Sequence, residues 1–202
     1  MDDLDLRTRN RLATRAAISA AALRLALEHG PRNVRVAQIA ELAGVSPRTY
    51  NNHFSSREEA ICAVAADRGE QVAAALRARP RDEPPHTALT EAVVEVYAAE
   101  DPDRRVVRML ASDPSLRGEY LKAMAAIEPP LAAAIAERGD ADELGAAVLA
   151  AAVVGATAAA TGHWLRLDDG TPYEKVLREA LGQIGFPESR GSRAGEGAGE
   201  GR

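Results

Sequence analysis

The chain has 202 residues and a formal net charge of −5; 46% of its residues are hydrophobic, but only 3% are aromatic. An alanine-rich, aromatic-poor mixture suits tightly packed helices and excludes a β-sandwich, which draws on β-branched and aromatic side chains. One cysteine, Cys62, excludes an intrachain disulfide and a cysteine-built zinc site.

The opening Met1–Asp2–Asp3–Leu4–Asp5 is acidic rather than basic and then apolar. No leader is expected, and the protein is expected in the cytoplasm. Residues 1–9 are expected as a flexible arm, 10–56 as a DNA-binding domain, 57–186 as a helical body and 187–202 as a disordered tail. The fold class is all-α.

The most informative stretch runs from Gln38 to Phe54. Gly44 can adopt the left-handed conformation that ends a helix sharply. Ala40 leaves room for a second helix to cross closely. Ser46 can N-cap that helix, and Pro47 sits in its first turn, where a missing N–H costs nothing. The unit is a helix-turn-helix, which lays its second helix in the major groove.

Spacing orients that helix. Tyr50 and Phe54 lie four apart and face the core. Arg48 and Asn52 then point away from them, with Thr49 and Asn51 on the flanks and His53 at the edge, placed for a phosphate. Arg pairs bidentately with guanine, Asn with adenine, and a Thr methyl meets the thymine methyl. Pro47 belongs to the same DNA-facing set. The charge agrees: from Arg7 to Arg57 nine arginines stand against Glu28 and Glu41, a balance of +7, so the acidic excess lies elsewhere.

These residues resemble the TetR family of transcriptional regulators. Arg15, Ile18, Ala21, Ala22, Leu25 and Gly30 match the spacing of that family's first helix. Val36, Ile39, Ala40, Ala43, Gly44, Val45, Ser46, Thr49, Phe54, Ser56, Arg57 and Glu58 follow its next three segments. The resemblance spans about residues 10 to 65. It implies a three-helix DNA-binding head on a helical body that dimerises and often binds a small ligand. It also implies that Thr49, Asn51, His53 and Arg57 touch DNA, Arg57 as a phosphate clamp. The chain departs from the pattern at Ala26, where a Phe is usual, and at Asn51, where an aromatic is common. It departs again at Arg35, where a hydroxyl residue usually precedes the second helix; Arg35 loses that cap but can reach a phosphate.

Past the head, Ser55 with Glu58 reads as a capping box that starts a long helix running to about Arg79. Residues 79–86 are Pro-rich and form a loop. Helices follow over Thr87–Ala99, Asp103–Ser112 and Ser115–Arg138, the last kinked or broken at Pro129–Pro130 and capped by Gly139. Asp142–Leu167 is long and apolar, and Tyr173–Gly185 is amphipathic. Leu144–Leu165 carries no Asp, Glu, Lys or Arg over 22 positions, a length that spans a membrane. Ala, Gly and Thr supply most of it, so a core helix surrounded by protein is the expectation, and no membrane partner is expected.

In the last helix Val176, Leu177, Ala180, Leu181 and Ile184 form one stripe. It either closes the chain's own core or meets a second copy. A single helix-turn-helix reads too few bases, which favours a homodimer on a pseudo-palindromic double-stranded operator. Gly155 and Ala159 would let a neighbouring helix approach closely and are assigned to the same interface.

An effector chamber in the body would draw on its scarce bulky and polar side chains: Tyr97, Arg108, Met109, Tyr120, Met124, Thr157, Thr161, His163 and Trp164. Plain core packing explains the same residues. No phosphate loop, nucleophile elbow or paired-His metal motif occurs, so neither an enzyme, a cofactor nor a metal site is expected. The expected function is a homodimeric repressor released from DNA by a small molecule. The competing function is a DNA-binding regulator whose body docks proteins.

Overall fold

A computed structural model describes residues 2–98, 102–167 and 169–185, with side chains from Leu6 onward. The segment expected as a tail lies outside these residues, apart from its neighbour Gly185. Every regular element among them is helical.

The head begins with α1 (Asp2–His29), which extends back through most of the segment expected as a flexible arm. Its core stripe is Ile18, Ala21, Ala22, Leu25 and Ala26, recurring at helical spacing. Ala26 is fully packed where a larger ring was the family expectation. A 3₁₀ turn (Pro31–Asn33) leads into α2 (Val36–Leu42) and α3 (Pro47–His53). Gly44 has φ +67, which explains the abrupt stop between the two helices.

The long helix expected from Ser55 to Arg79 is two helices, α4 (Arg57–Ala66) and α5 (Arg68–Ala78), joined at Asp67. The cap is also shifted by one residue. The Ser56 hydroxyl accepts from the Glu59 amide at 3.0 Å, while the Glu59 carboxylate accepts from the Ser55 amide at 2.8 Å and hydroxyl at 2.7 Å. A Cβ at Gly69 would lie 2.8 Å from the Ile127 Cα, so α5 crosses a neighbouring backbone at a distance only glycine permits.

The body continues with α6 (Pro85–Tyr97), α7 (Arg104–Ser112), α8 (Arg117–Ala125), α9 (Glu128–Arg138), α10 (Glu143–Trp164) and α11 (Tyr173–Leu181). Local chemistry sets these limits. Asp103 and Asp142 accept from the amides of Arg105 and Gly145 as N-caps, at 2.8 and 2.9 Å. Pro129 and Pro130 stand in the first turn of α9, so the helix expected to be kinked or broken there is broken. Gly139 ends α9 at φ +79.

Two cores result. The body core gathers α5, α6, α9, α10 and α11, with Leu76, Val93, Leu131, Ala150 and Leu177 among its fully enclosed side chains. The head core holds α1, α2, α3 and α4 but also takes Leu110 from α7, Leu116, and Ala123 from α8. Helix α4 is apolar on opposite faces, burying Ala60, Ile61, Cys62, Ala63 and Ala65. The head therefore rests on body helices through α4, and its core extends past residue 56.

Candidate nucleic-acid interface and effector chamber

Helix α3 is held from three sides. At its N-terminus the Ser46 hydroxyl accepts from the Thr49 amide at 3.0 Å and shares a 2.9 Å hydrogen bond with the Thr49 hydroxyl. On its inner face Tyr50 and Phe54 are buried with rings 5.9 Å apart, and the Tyr50 hydroxyl donates to the Ser56 carbonyl at 2.9 Å. Burial pushes the Tyr50 phenol up to about 12, so it stays a donor at neutral pH. At the C-terminus Arg15 lies over the Phe54 ring at 4.4 Å and donates to the His53 carbonyl at 3.1 Å. A cation at that end suits the helix dipole.

That support leaves Pro47, Arg48, Asn51 and Asn52 exposed and Thr49 and His53 half-buried, in agreement with the orientation read from spacing. With its hydroxyl engaged by Ser46, Thr49 retains its methyl group for base contact. Arg35 is exposed, and its amide donates to Gln38 Oε1 at 3.0 Å, so Gln38 supplies a cap bond that the missing hydroxyl residue does not.

Arg57 has a structural role that the sequence does not reveal. Its Nη1 donates to the carbonyls of Arg32 at 2.9 Å and Val34 at 3.0 Å, and its Nε pairs with Glu58 at 2.6 Å. The side chain ties the turn before α2 to the start of α4 through Nε and Nη1. Sequence reasoning missed Arg15 as well. The four-residue offset of Tyr50 and Phe54 marks a core face, but only the packing that brings Arg15 of α1 to the end of α3 supplies this partner.

A second feature lies where the two cores meet. A chamber with about 80 Å³ of free interior volume is lined from α1 and α4 by Leu23, Val64 and Ala65. Arg68, Tyr97, Val106, Val107, Leu110, Tyr120 and Met124 form further walls, completed by Thr157, Ala158 and Thr161 of α10 and by Tyr173. The Arg68 guanidinium stacks over the Tyr97 ring at 4.6 Å. Burial pushes the Tyr97 phenol up to about 12 and raises those of Tyr120 and Tyr173. All three hydroxyls are thus neutral donors. Cys62 is no nucleophile: burial pushes its thiol up to about 12 too. Among the described residues no cluster of His, Cys, Asp and Glu could hold a metal ion.

Comparison with known proteins agrees with this anatomy. Residues 18–63 match the profile of the "Bacterial regulatory proteins, tetR family", and residues 83–187 match the "MftR C-terminal domain" of the TetR type. The second match alone covers more than half of the chain. The chain belongs to the TetR family. It is 34% identical over 147 residues to the HTH-type transcriptional regulator TcmR of Streptomyces glaucescens; the match takes in 68% of this chain and 65% of that protein, just under two thirds of its length.

Solved structures share the fold at low identity. A TetR-family transcriptional regulator from Syntrophomonas wolfei superposes with a TM-score of 0.61 at 16% identity, covering 84% of this chain and 92% of that one. The fatty acid degradation regulator FadR of Bacillus halodurans gives 0.55 at 17%, over 86% and 97%. FadR of Thermus thermophilus, solved in complex with lauroyl-CoA, gives 0.52 at 22%, over 83% and 91%.

Of the residues expected to line a chamber in this TetR-family chain, Tyr97, Tyr120, Met124 and Thr161 do so. Arg108 and His163 are exposed, and Met109 packs against the head core. Trp164 is buried outside the chamber. Arg104 stacks on its ring at 4.1 Å and donates to the Trp164 and Leu167 carbonyls, while the indole N–H donates to the Thr171 carbonyl at 3.0 Å. Trp164 locks the end of α10 against α11; only its edge-to-face contact with Tyr173, 5.2 Å between centroids, reaches the chamber wall. Thr157, also expected there, lines it too; Arg68 and Tyr173 were missed, Arg68 because it sits at a helix junction that the sequence reads as continuous.

The stripe expected as a dimer surface also changes place. Val176, Leu177 and Leu181 are buried in the chain's own body core, with Ala180 and Ile184 packed at its edge. Helix α10 is not surrounded by protein: Leu144 is 75% exposed and Val148 58% exposed, with Ala151, Gly155, Ala158 and Ala159 continuing the open face. Among the described residues it is the one helix long and apolar enough to cross a membrane, by length and composition alone. Its inner face, through Leu149, Val153, Thr157, Ala160 and Trp164, is built into the helical body.

Proposed function

We propose that this protein is a homodimeric, sequence-specific transcriptional repressor that a small molecule releases from DNA. The observation that carries this reading is the position of the chamber. Leu23 of α1 and Val64 and Ala65 of α4 line it directly, so its occupant touches the helices that carry α3. The α4–α5 junction adds a link. Asp67 faces Arg15 at 3.7 Å, and Arg15 holds the end of α3, while the next residue, Arg68, belongs to the chamber. A ligand acts on DNA binding only through its different affinities for two head positions, so ligand and operator antagonise each other reciprocally.

The open face of α10 supports the dimer. Leu144, Val148, Ala151, Gly155 and Ala159 recur three or four residues apart, and contiguous apolar surface of this kind calls for a partner. A second copy of α10 fits best, since Gly155 and the alanines permit close approach. Two α3 helices held in one dimer reach half-sites about 34–36 Å apart, or a multiple of that. Within this reading the protein performs no catalysis and works in the cytoplasm.

The double variant Leu144→Asp with Val148→Asp tests it. Both positions are exposed in the single chain, so helical content should survive while sedimentation shows a monomer and operator affinity collapses. A variant that remains dimeric and retains full operator affinity refutes the α10 interface.

A further inference from the structure

The chamber carries an unbalanced set of polar groups. Arg68 is always charged, and among the described residues that line the chamber there is no Asp or Glu. The neighbouring carboxylate, Asp67, faces Arg15 instead. No described carboxylate forms an ion pair with Arg68. One flat face of its guanidinium lies on the Tyr97 ring, which leaves the N–H edge as the face for a planar acceptor. The positive charge of Arg68 acts on Tyr97, Tyr120 and Tyr173, lowering each phenol against the effect of burial, so the cation stands among three hydroxyl-bearing rings.

Thr157 is the second observation. It is only 4% exposed and lines the chamber, and its hydroxyl oxygen has no hydrogen-bond partner. A buried hydroxyl left unsatisfied is costly, and native proteins retain few of them. In a core position of α10 a valine would fill the same volume without that cost. Thr157 borders a space whose other walls include Val106, Val107, Leu110 and the tyrosine rings.

We propose that the chamber binds a compact, ring-bearing organic anion, with its carboxylate or phenolate oxygen on the Arg68 guanidinium and a second polar group on the Thr157 hydroxyl. This rests on the reading of the chamber as an effector site and specifies its ligand. The apolar walls take the ring and the tyrosine faces flank it. Charge neutralisation at Arg68 occurs one residue from Asp67, so binding of an anion reaches the contact between Asp67 and Arg15. A neutral molecule of the same shape would fill the space without changing that charge.

Calorimetry on the full-length protein with matched acids and amides tests the proposal: benzoate and benzamide, 1-naphthoate and 1-naphthamide, decanoate and decanamide. Each ring acid should bind at least about tenfold more tightly than its amide, the size of one charge-assisted contact. Arg68→Met should abolish that preference while leaving amide affinity within about twofold, and Arg68→Lys should keep part of it. Thr157→Val should raise the melting temperature of the free protein by about 2–4 °C and weaken 1-naphthoate several-fold.

Acids and amides that bind the wild type equally would overturn the anion anchor and leave the effector chamber standing. Decanoate binding more tightly than both ring acids would overturn the ring-bearing class. A panel from which nothing binds overturns the proposal and the effector reading together. Wild-type acid-against-amide discrimination decides the matter even if Arg68→Met folds poorly.

Discussion

Removing the Arg57 side chain separates two roles that a sequence motif cannot distinguish. In the structure Arg57 is 33% exposed on its side chain and donates to the Arg32 and Val34 carbonyls as well as to Glu58. A charge-assisted hydrogen bond contributes roughly 1.5–3 kcal/mol when well shielded. The bond to Arg32 is exposed and that to Val34 half-buried, so water replaces much of the first and less of the second. Arg57→Ala should therefore cost about 2 kcal/mol and lower the melting temperature of a chain this size by about 4–8 °C. Hydrogen exchange should localise the loosening to α2 and the turn before it. Affinity for a selected operator and for random duplex should fall together, because α2 and α3 lose a common anchor. An unchanged melting temperature, with the salt dependence of binding reduced by about one counterion, would refute this account and restore Arg57 as a phosphate clamp.

Arg48→Ala and Asn52→Ala should leave the melting temperature alone, since both are exposed, but narrow the operator-to-random ratio by roughly 1–3 kcal/mol per lost base contact in anisotropy titrations. Gly69→Ala gains about 1 kcal/mol of helix propensity, yet its Cβ meets the Ile127 Cα at 2.8 Å, so overpacking of about 1–3 kcal/mol should make it a net destabilisation by calorimetry. Glu91, whose carboxylate takes two bonds from Arg178 at 2.6 and 3.0 Å, is held below its ordinary 4.5 by that hydrogen bonding. Its contribution is present above pH 4.5 and lost as pH falls through the depressed value, so Glu91→Gln should flatten the acid limb of a pH–stability curve.

The sequence by itself determined the head. Gly44, Ser46, Pro47, Tyr50 and Phe54 act through rules that reach only four residues: a left-handed stop, a side-chain cap, a proline in the first turn and an i,i+4 pair. Local rules of this kind leave the outward face of α3 no other orientation, and the limits of α7, α9 and α10 followed in the same way from Asp103, Gly139 and Asp142. The tertiary structure decided everything that depends on which helix lies against which. As sequence, α10 is apolar on all sides and α11 carries a single apolar stripe, but α11 has its stripe pressed into the body while α10 turns Leu144 and Val148 outward. The close crossing at Gly69, beside the α4–α5 junction, depends on Ile127, far away in the chain. Arg57 and Arg68 show the same limit: each carries a fixed charge legible at once, whereas its partner is a distant carbonyl in one case and the Tyr97 ring in the other. Hydrophobic burial is non-directional, so periodicity tells that a face is buried and packing alone tells against what.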